Sequence, residues 1–574
     1  MGRFMAALAA IALVSCKGGK DEAEPAPDPG WQPDTYCPGG EACASSAGTL
    51  EAGAASVSII PECYENWEDL DDNAEYHVSI DTFLDCGCDR LCPGDDGYSA
   101  PDEGEGDEVF QAIWIGGFGN ARAANGVRDA TMGLRGEGDG LWARALVLRQ
   151  GDSTLGIVAL DAVGFMRDDV LAMRTATADA GVDLDHLVIH SSHVHEAPDS
   201  MGIWGPNAVK TGYDPNYAGQ VVGNVVSALR EAESALVEVE VESGMVDIDD
   251  YPGGTSNIIS DTRDPVIIDS RLGVARFFEP SGATVATLVH FGNHPETVAG
   301  DNLLLTSDFA HALRQTVESG VSWDGSSQEG VGGTCIFLNA AVGGMMTSLR
   351  ADVTDPDGVV WSEHSFEKAD AVGQLLGGMA LDAIDAAESV GDVTLTFRAN
   401  KFELPVINTG FQAMFEIGVL AHRTIYNYDP EENISADNQP DVETEVDFIQ
   451  IGDLQMITIP GELLPEVGIG GYNGSFTPAD KDIVDPENSN PPDLASSPEG
   501  PYLLDRLDGR MNWVIGLGND ELGYFIAPYN FVLADVGAYI LEAEGDHYEE
   551  TNSLGPDTAT LIDEQVERLA GWKP

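Results

Sequence analysis

Four short apolar runs in this chain, each the length of a strand, break off at a turn that carries a side chain with metal-binding or acid–base chemistry. Leu187 to His190 leads to His193 and His195, and Val285 to His290 leads to His294. Leu454 to Ile459 leads to Pro460-Gly461-Glu462, and Val514 to Leu517 leads to Asn519-Asp520-Glu521-Leu522-Gly523-Tyr524. Apolar runs of this length bounded by turn residues read as buried strands. In α/β sheets ligands gather at the ends of strands. The recurrence therefore points to an α/β fold whose strand ends meet at one place.

The densest of these segments is His186 to Pro198, HLVIHSSHVHEAP. Side chains alternate along an extended chain, so His193 and His195 face the same way and His190 faces the other. Neutral imidazole is the commonest zinc ligand, and a hydrolytic zinc site takes three protein ligands and leaves a position for water. A bare His-x-His is equally a pair of surface or core histidines, so the other ligands must come from other turns. His294, in Gly292-Asn293-His294-Pro295-Glu296, follows a strand end, and Glu462 offers a hard oxygen donor suited to zinc beside two histidines. Asp161, ending the run Leu155 to Leu160, is expected to orient a ligating histidine. Arg263, in Asp261-Thr262-Arg263-Asp264-Pro265, is expected to anchor a polar headgroup or to pair with its acidic neighbours.

The rest of the chain fits the same class. Strands are also predicted at 143–148, 155–160, 274–278 and 334–338, and helices at 168–180, 309–319, 366–388 and 558–569. Residues 428–447 and 477–501, rich in Pro, Asn and acid, are predicted as loops. The acidic residues outnumber the basic ones by 98 to 27, a formal net charge of −71. Such a field repels phosphate backbones and anionic headgroups, which excludes nucleic acid as a partner and disfavours electrostatic docking to an anionic membrane.

The N-terminal part divides further. Residues 1–16 carry Arg3, an apolar run and Leu13-Val14-Ser15-Cys16, which resembles a bacterial lipobox. Cleavage before Cys16 and acylation of its thiol are expected to leave an exported lipoprotein whose only membrane contact is the lipid anchor. The bland alternative is a secretory signal with a chance cysteine. Residues 17–35 read as a flexible acidic linker. In 36–108 six cysteines, Cys37, Cys43, Cys63, Cys86, Cys88 and Cys92, read as a disulfide module with 15 possible pairings, zinc binding being the rival for a reducing compartment. Cys335, in an apolar run, is expected to be a buried free thiol. The large domain is expected over 109–574.

Taken in chain order, the His-x-His at 193 and 195, the histidine at 294, the Pro-Gly-Glu at 460–462 and the Asn-initiated turn ending in Gly523-Tyr524 resemble the neutral/alkaline, non-lysosomal ceramidase family. Val158 to Asp161, Thr306-Ser307-Asp308-Phe309 and Ile336 to Gly344 add to the likeness, which covers about 111–569. The resemblance implies mixed sheets sandwiched between helices, with zinc held by His193, His294, Glu462 and Tyr524. It makes His195 the catalytic histidine beside the metal and implies hydrolysis of a lipid-like or small N-acyl substrate by metal-activated water. Three departures stand out. The family's serine near a Val-Gly-Asp turn is absent from Asn339-Ala340-Ala341-Val342-Gly343-Gly344, Glu196-Ala197-Pro198 replaces Ser-Gly-Pro and is expected to bring a carboxylate to the site, and no length remains for a C-terminal immunoglobulin-like domain. Two alternatives follow: a zinc hydrolase of another amide or ester, and a non-catalytic surface lipoprotein.

Overall fold

A computed structural model describes residues 31–40, 42–128, 139–344, 346–391, 393–435 and 437–573. The expected leader with Cys16, and the spacer up to residue 30, lie outside the described residues. Strands β1 (Thr35–Cys37) and β2 (Glu51–Ser58) come first. The antiparallel pair β3 (Trp142–Gln150) and β4 (Ser153–Leu160) follows, and helix α1 (Arg167–Asp179) carries the chain back so that β5 (His186–Ser191) runs parallel to β4. A parallel return requires such a crossover.

The pattern then repeats. After helix α2 (Pro215–Ser234), strands β6 (Glu240–Asp247), β7 (Arg271–Phe278) and β8 (Thr284–Phe291) form an antiparallel meander. Helix α3 (Phe309–Ser319) crosses over to β9 (Thr334–Asn339), parallel to β8. Beyond helix α4 (Phe366–Asp385) come β10 (Leu395–Pro405), the short helix α5 (Thr409–Glu416), and β11 (Asp441–Ile451) with β12 (Leu454–Thr458). The two-residue strand β13 (Glu462–Leu463) precedes β14 (Met511–Ile515), which pairs parallel to β12. Strand β15 (Tyr524–Phe525) and helix α6 (Thr558–Gly571) complete the chain.

Three five-stranded sheets result. The first runs β5-β4-β3-β2 to the edge strand Val237–Glu238, the second β9-β8-β7-β6 to the edge strand Glu388–Ser389, and the third β1-β10-β11-β12-β14. One core cluster takes residues from all three, including Leu146, Val188, Leu288, Ile336, Phe397, Met456 and Trp513. A second packs α1 and α2 on the first sheet, and a third packs α3 and α4 on the second. Every residue of β4, β5 and β12 is buried, as the unbroken apolar runs require. The fold class is thus the mixed α/β one expected.

One expectation differs from the structure, the loop at 428–447. The expected disulfides of the cysteine-rich segment are present, and its strands pair with those of the body, β1 with β10 and β2 with β3. Its cysteines pair as Cys37–Cys43, Cys63–Cys88 and Cys86–Cys92, while Cys335 is free and buried. Residues 441–447, expected in a loop, begin the strand β11. Their acids are compatible with a sheet because distant cations meet them: Glu445 accepts from Arg174 at 2.6 and 3.1 Å and from Arg167 at 3.1 Å. No helix among the described residues is long and apolar enough to cross a membrane.

Candidate metal centre

Each of the three sheets ends at the same place. Asn339, the last residue of β9, joins them: its Nδ2 donates to the carbonyls of Ser192 and Asn293 at 2.9 and 3.0 Å, and its Oδ1 accepts from the Asn293 amide at 3.1 Å. His190 completes the junction. Its Nδ1 donates to the Gly516 carbonyl at 2.8 Å, so its Nε2 is free to accept the Asn339 amide at 3.0 Å. Burial pushes this imidazole down to about 3, and it bridges the sheets as a neutral group.

From this junction the predicted ligands converge. His193 does not lie on a strand as expected, because β5 ends at Ser191. It sits in the left-handed region at φ 67°, a conformation held only where the surroundings dictate it. Its ring Nδ1 donates to the Val163 carbonyl at 2.6 Å, and that of His294 donates to the Met346 carbonyl at 2.9 Å. A carbonyl can only accept, so the proton of each neutral ring lies on Nδ1 and the Nε2 lone pair points inward. Both Nε2 atoms meet Glu462 Oε2, at 3.3 Å from His193 and 3.0 Å from His294. At that range each nitrogen and the carboxylate oxygen need positive charge between them: a ring proton, which Glu462 favours on His193, or a bound cation. The donor set therefore fits a divalent metal ion.

Glu462 and Tyr524 face each other across the parallel pair β13–β15, and Tyr524 shares a hydrogen bond with Glu462. His195 lies close by, and one ring atom from each of His193, His195 and His294 falls within 4.8 Å of the others. Its Nδ1 is 3.0 Å from Glu296 Oε2. Burial pushes His195 down to about 4, so it is neutral near pH 7, while His195, His294 and Thr347 hold Glu296 ionised at about 2 against its own burial. His195 Nε2 has no hydrogen-bond partner among the described residues.

Three sequence expectations are corrected. Asp161 touches neither His193 nor His294: it takes Arg314 through both oxygens at 2.7 and 2.9 Å, together with the Ser192 hydroxyl and the Trp142 amide. It acts through the backbone, since the next two carbonyls, Ala162 and Val163, bind the amide and the ring of His193. Arg263 is 2% exposed and holds Glu549, Glu550 and the Asn530 carbonyl at 2.7–3.0 Å, which commits it to a buried ion cluster. Glu196 turns away from the metal site to Arg122 and Asn302 at 2.9 and 2.8 Å. The carboxylate beside His195 is instead Glu296, two residues after His294 in the turn already singled out. Only its closeness to that ligand hinted at a role.

Beside the ligands opens a pocket of about 100 Å³, walled by Met166, Met201, Ile203, Trp204, Phe411 and Phe415 among others. Glu521 also lines it. Its stem packs against Gly164, where any side chain would collide. Its Oε1 accepts the Gly523 amide, while Oε2 has no partner among the described residues. Burial and the neighbouring Glu462 charge push this acid upward.

No protein-family model matches the chain, and no curated protein does. Solved structures do. A neutral ceramidase from Pseudomonas aeruginosa matches at 13% identity and TM-score 0.54, over 91% of this chain and 74% of its own. A ceramidase complexed with C2 matches at 13% identity and TM-score 0.56, over 91% and 75%. The chain therefore has the neutral ceramidase fold.

Proposed function

We propose that this neutral ceramidase fold carries a zinc-dependent amidohydrolase acting on an N-acyl, ceramide-like amide. The observation that supports it is the meeting of His193 Nε2, His294 Nε2 and Glu462 Oε2 within 3.0–3.3 Å at the mouth of an apolar pocket. Zinc would be held by these three and by Tyr524, and when bound it supplies Lewis-acid polarisation of the amide carbonyl and lowers the pKa of water. Neutral His195 is the proton carrier: its free Nε2 takes a proton from the attacking water and returns it to the leaving amine, while Glu296 stabilises the imidazolium formed between the two steps. The pocket walls receive the acyl chain and keep bulk water from the carbonyl. Export and a lipid tether at Cys16 complete the proposal; incorporation of labelled fatty acid that Cys16→Ser abolishes tests it.

A second reading, a zinc hydrolase of a different amide or ester, is favoured by Ala340 in place of the serine that the family places near the headgroup. One experiment separates the readings. Elemental analysis of the purified chain is expected to give one zinc per chain. A panel of N-acyl amides and esters is expected to give turnover on an N-acyl sphingoid amide, with metal and turnover both lost in His193→Ala. Turnover on other substrates alone selects the second reading. Bound metal without turnover on any substrate returns the chain to the non-catalytic surface lipoprotein.

A further inference from the structure

Helix α5 has a composition at odds with its surroundings. Its eight residues include Phe411, Met414 and Phe415, yet none of its side chains is fully buried. Phe411 and Phe415 line the pocket beside the metal centre, and Met414 and Phe415 pack on the apolar cluster under it. Ile417, at the end of the helix, is 52% exposed. The loop after Phe531 lies over the first turn: the Tyr539 carbonyl and the Ile540 side chain come within 3.2 and 3.4 Å of where a Cβ on Gly410 would stand. On that loop Val536, Ile540 and Leu541 are 79%, 62% and 57% exposed.

We propose that this face, Ile417 with Val536, Ile540 and Leu541, docks on the surface of a neutral or zwitterionic lipid layer and opens the pocket toward it. The proposal rests on the reading of the substrate as a lipid-like amide, because such a molecule resides in a bilayer and has to leave it to reach the site. Two observations favour lipid. The face and the pocket share one helix: Phe411 and Phe415 line the pocket, Ile540 lies against the first turn at Gly410, and Ile417 follows the last. Its charge turns away anionic surfaces and leaves a neutral one unopposed: no Lys or Arg occurs over 402–422 or 511–567, whereas Glu416, Asp535, Glu542, Glu544 and Asp546 flank the apolar residues. Anionic headgroups are repelled by those acids.

The test uses the full-length chain with Val536→Cys labelled by an environment-sensitive fluorophore, the identically treated parent chain serving as blank. Phosphatidylcholine vesicles are expected to shift the emission to the blue, and brominated lipid to quench it. Adding Ile540→Asp and Leu541→Asp should weaken this partition by about a hundredfold, from the apolar area withdrawn. The triple variant should still hydrolyse a water-soluble short-chain substrate at the parent rate and lose rate only on vesicle-borne substrate. The fluorescence readout is independent of turnover, so a chain that docks without hydrolysing refutes the enzyme reading alone. No shift on neutral vesicles, or a shift only with anionic lipid, overturns the proposal. A shift without vesicles that grows with protein concentration assigns the face to a second copy, and one independent of concentration assigns it to the chain's own N-terminal segment; either overturns it as well.

Discussion

At the scale of single residues, the family resemblance and the apolar runs before each turn named His193, His294, Glu462 and Tyr524, and the structure brings these side chains together; that they hold a metal is the proposal. What supports the ligands was not legible. The groups that orient both histidines are backbone carbonyls, Val163 and Met346, which no residue type announces. Glu462→Ala should remove the convergence point of the two Nε2 atoms and drop bound metal below about a tenth per chain, read by elemental analysis, with the circular dichroism spectrum unchanged. Glu296→Gln keeps the shape but withdraws the charge beside His195; kcat should fall about 10- to 100-fold with metal content and KM unchanged. A purely structural Glu296 would lower the melting temperature and leave kcat alone. Arg263 separates in the opposite sense. Arg263→Met strands Glu549 and Glu550 in the interior, a loss of about 3–5 kcal/mol seen in denaturant unfolding, whereas a headgroup anchor would raise KM in a chain of full stability.

At the scale of elements, strands with unbroken apolar runs were read correctly because period-free burial leaves a plain mark on the sequence. Helix α3 was predicted over 309–319, the range it occupies. Helix α2 was missed although Asp214 caps it through the Asn216 amide and Pro215 opens its first turn; Gly219 and Gly223 dilute its helix preference. Strand β11 was misread from its acids, since Arg167 and Arg174, which neutralise Glu445, lie more than two hundred residues away in the chain. Non-local pairing of this kind also defines the junction at Asn339, which lies in a stretch that adds to the family likeness but whose joining role the sequence does not announce. Asn339→Ala removes two donors and an acceptor from the carbonyls and amide that join β5, β8 and β9. Each stranded buried group costs about 1–3 kcal/mol, so unfolding should shift by several kcal/mol. Because His193 and His294 lie in the turns that follow β5 and β8, metal affinity measured by competition with a chelator should weaken in the same variant.

At the scale of the whole molecule, the net charge of −71 and the buried acids act on stability in different ways. Asp169, Asp199 and Asp308 are all buried, and burial pushes each up to about 6; Glu466 is pushed up to about 7. An acid whose folded pKa lies above its unfolded one binds more protons in the folded state over the interval between them. Their contribution to stability is therefore full below about pH 4 and declines as pH rises from there through about 6–7. Glu550 pulls the other way: His547 and Arg263 hold it down at about 2, so its contribution is present above about pH 4 and is lost as pH falls toward 2. By themselves these five carboxyls place the maximum near pH 4 and contribute less at pH 8 than at pH 5.5, while His190, His290, His311 and His422, which burial holds down at about 3 to 4, contribute fully only above about pH 6.5 and pull against that difference. Salt distinguishes this from surface repulsion. Near 0.5 M the screening length is shorter than the spacing of most exposed charges, so at pH 8 added salt should recover the part of the loss caused by crowded surface carboxylates. The interior acids and histidines are out of reach of the counterions, so their net difference between pH 8 and 5.5 should persist at high salt. Calorimetric scans at both pH values, with and without salt, measure the two contributions. A remaining difference that shrinks further as salt is raised would mean that counterions reach the interior groups, contrary to their burial.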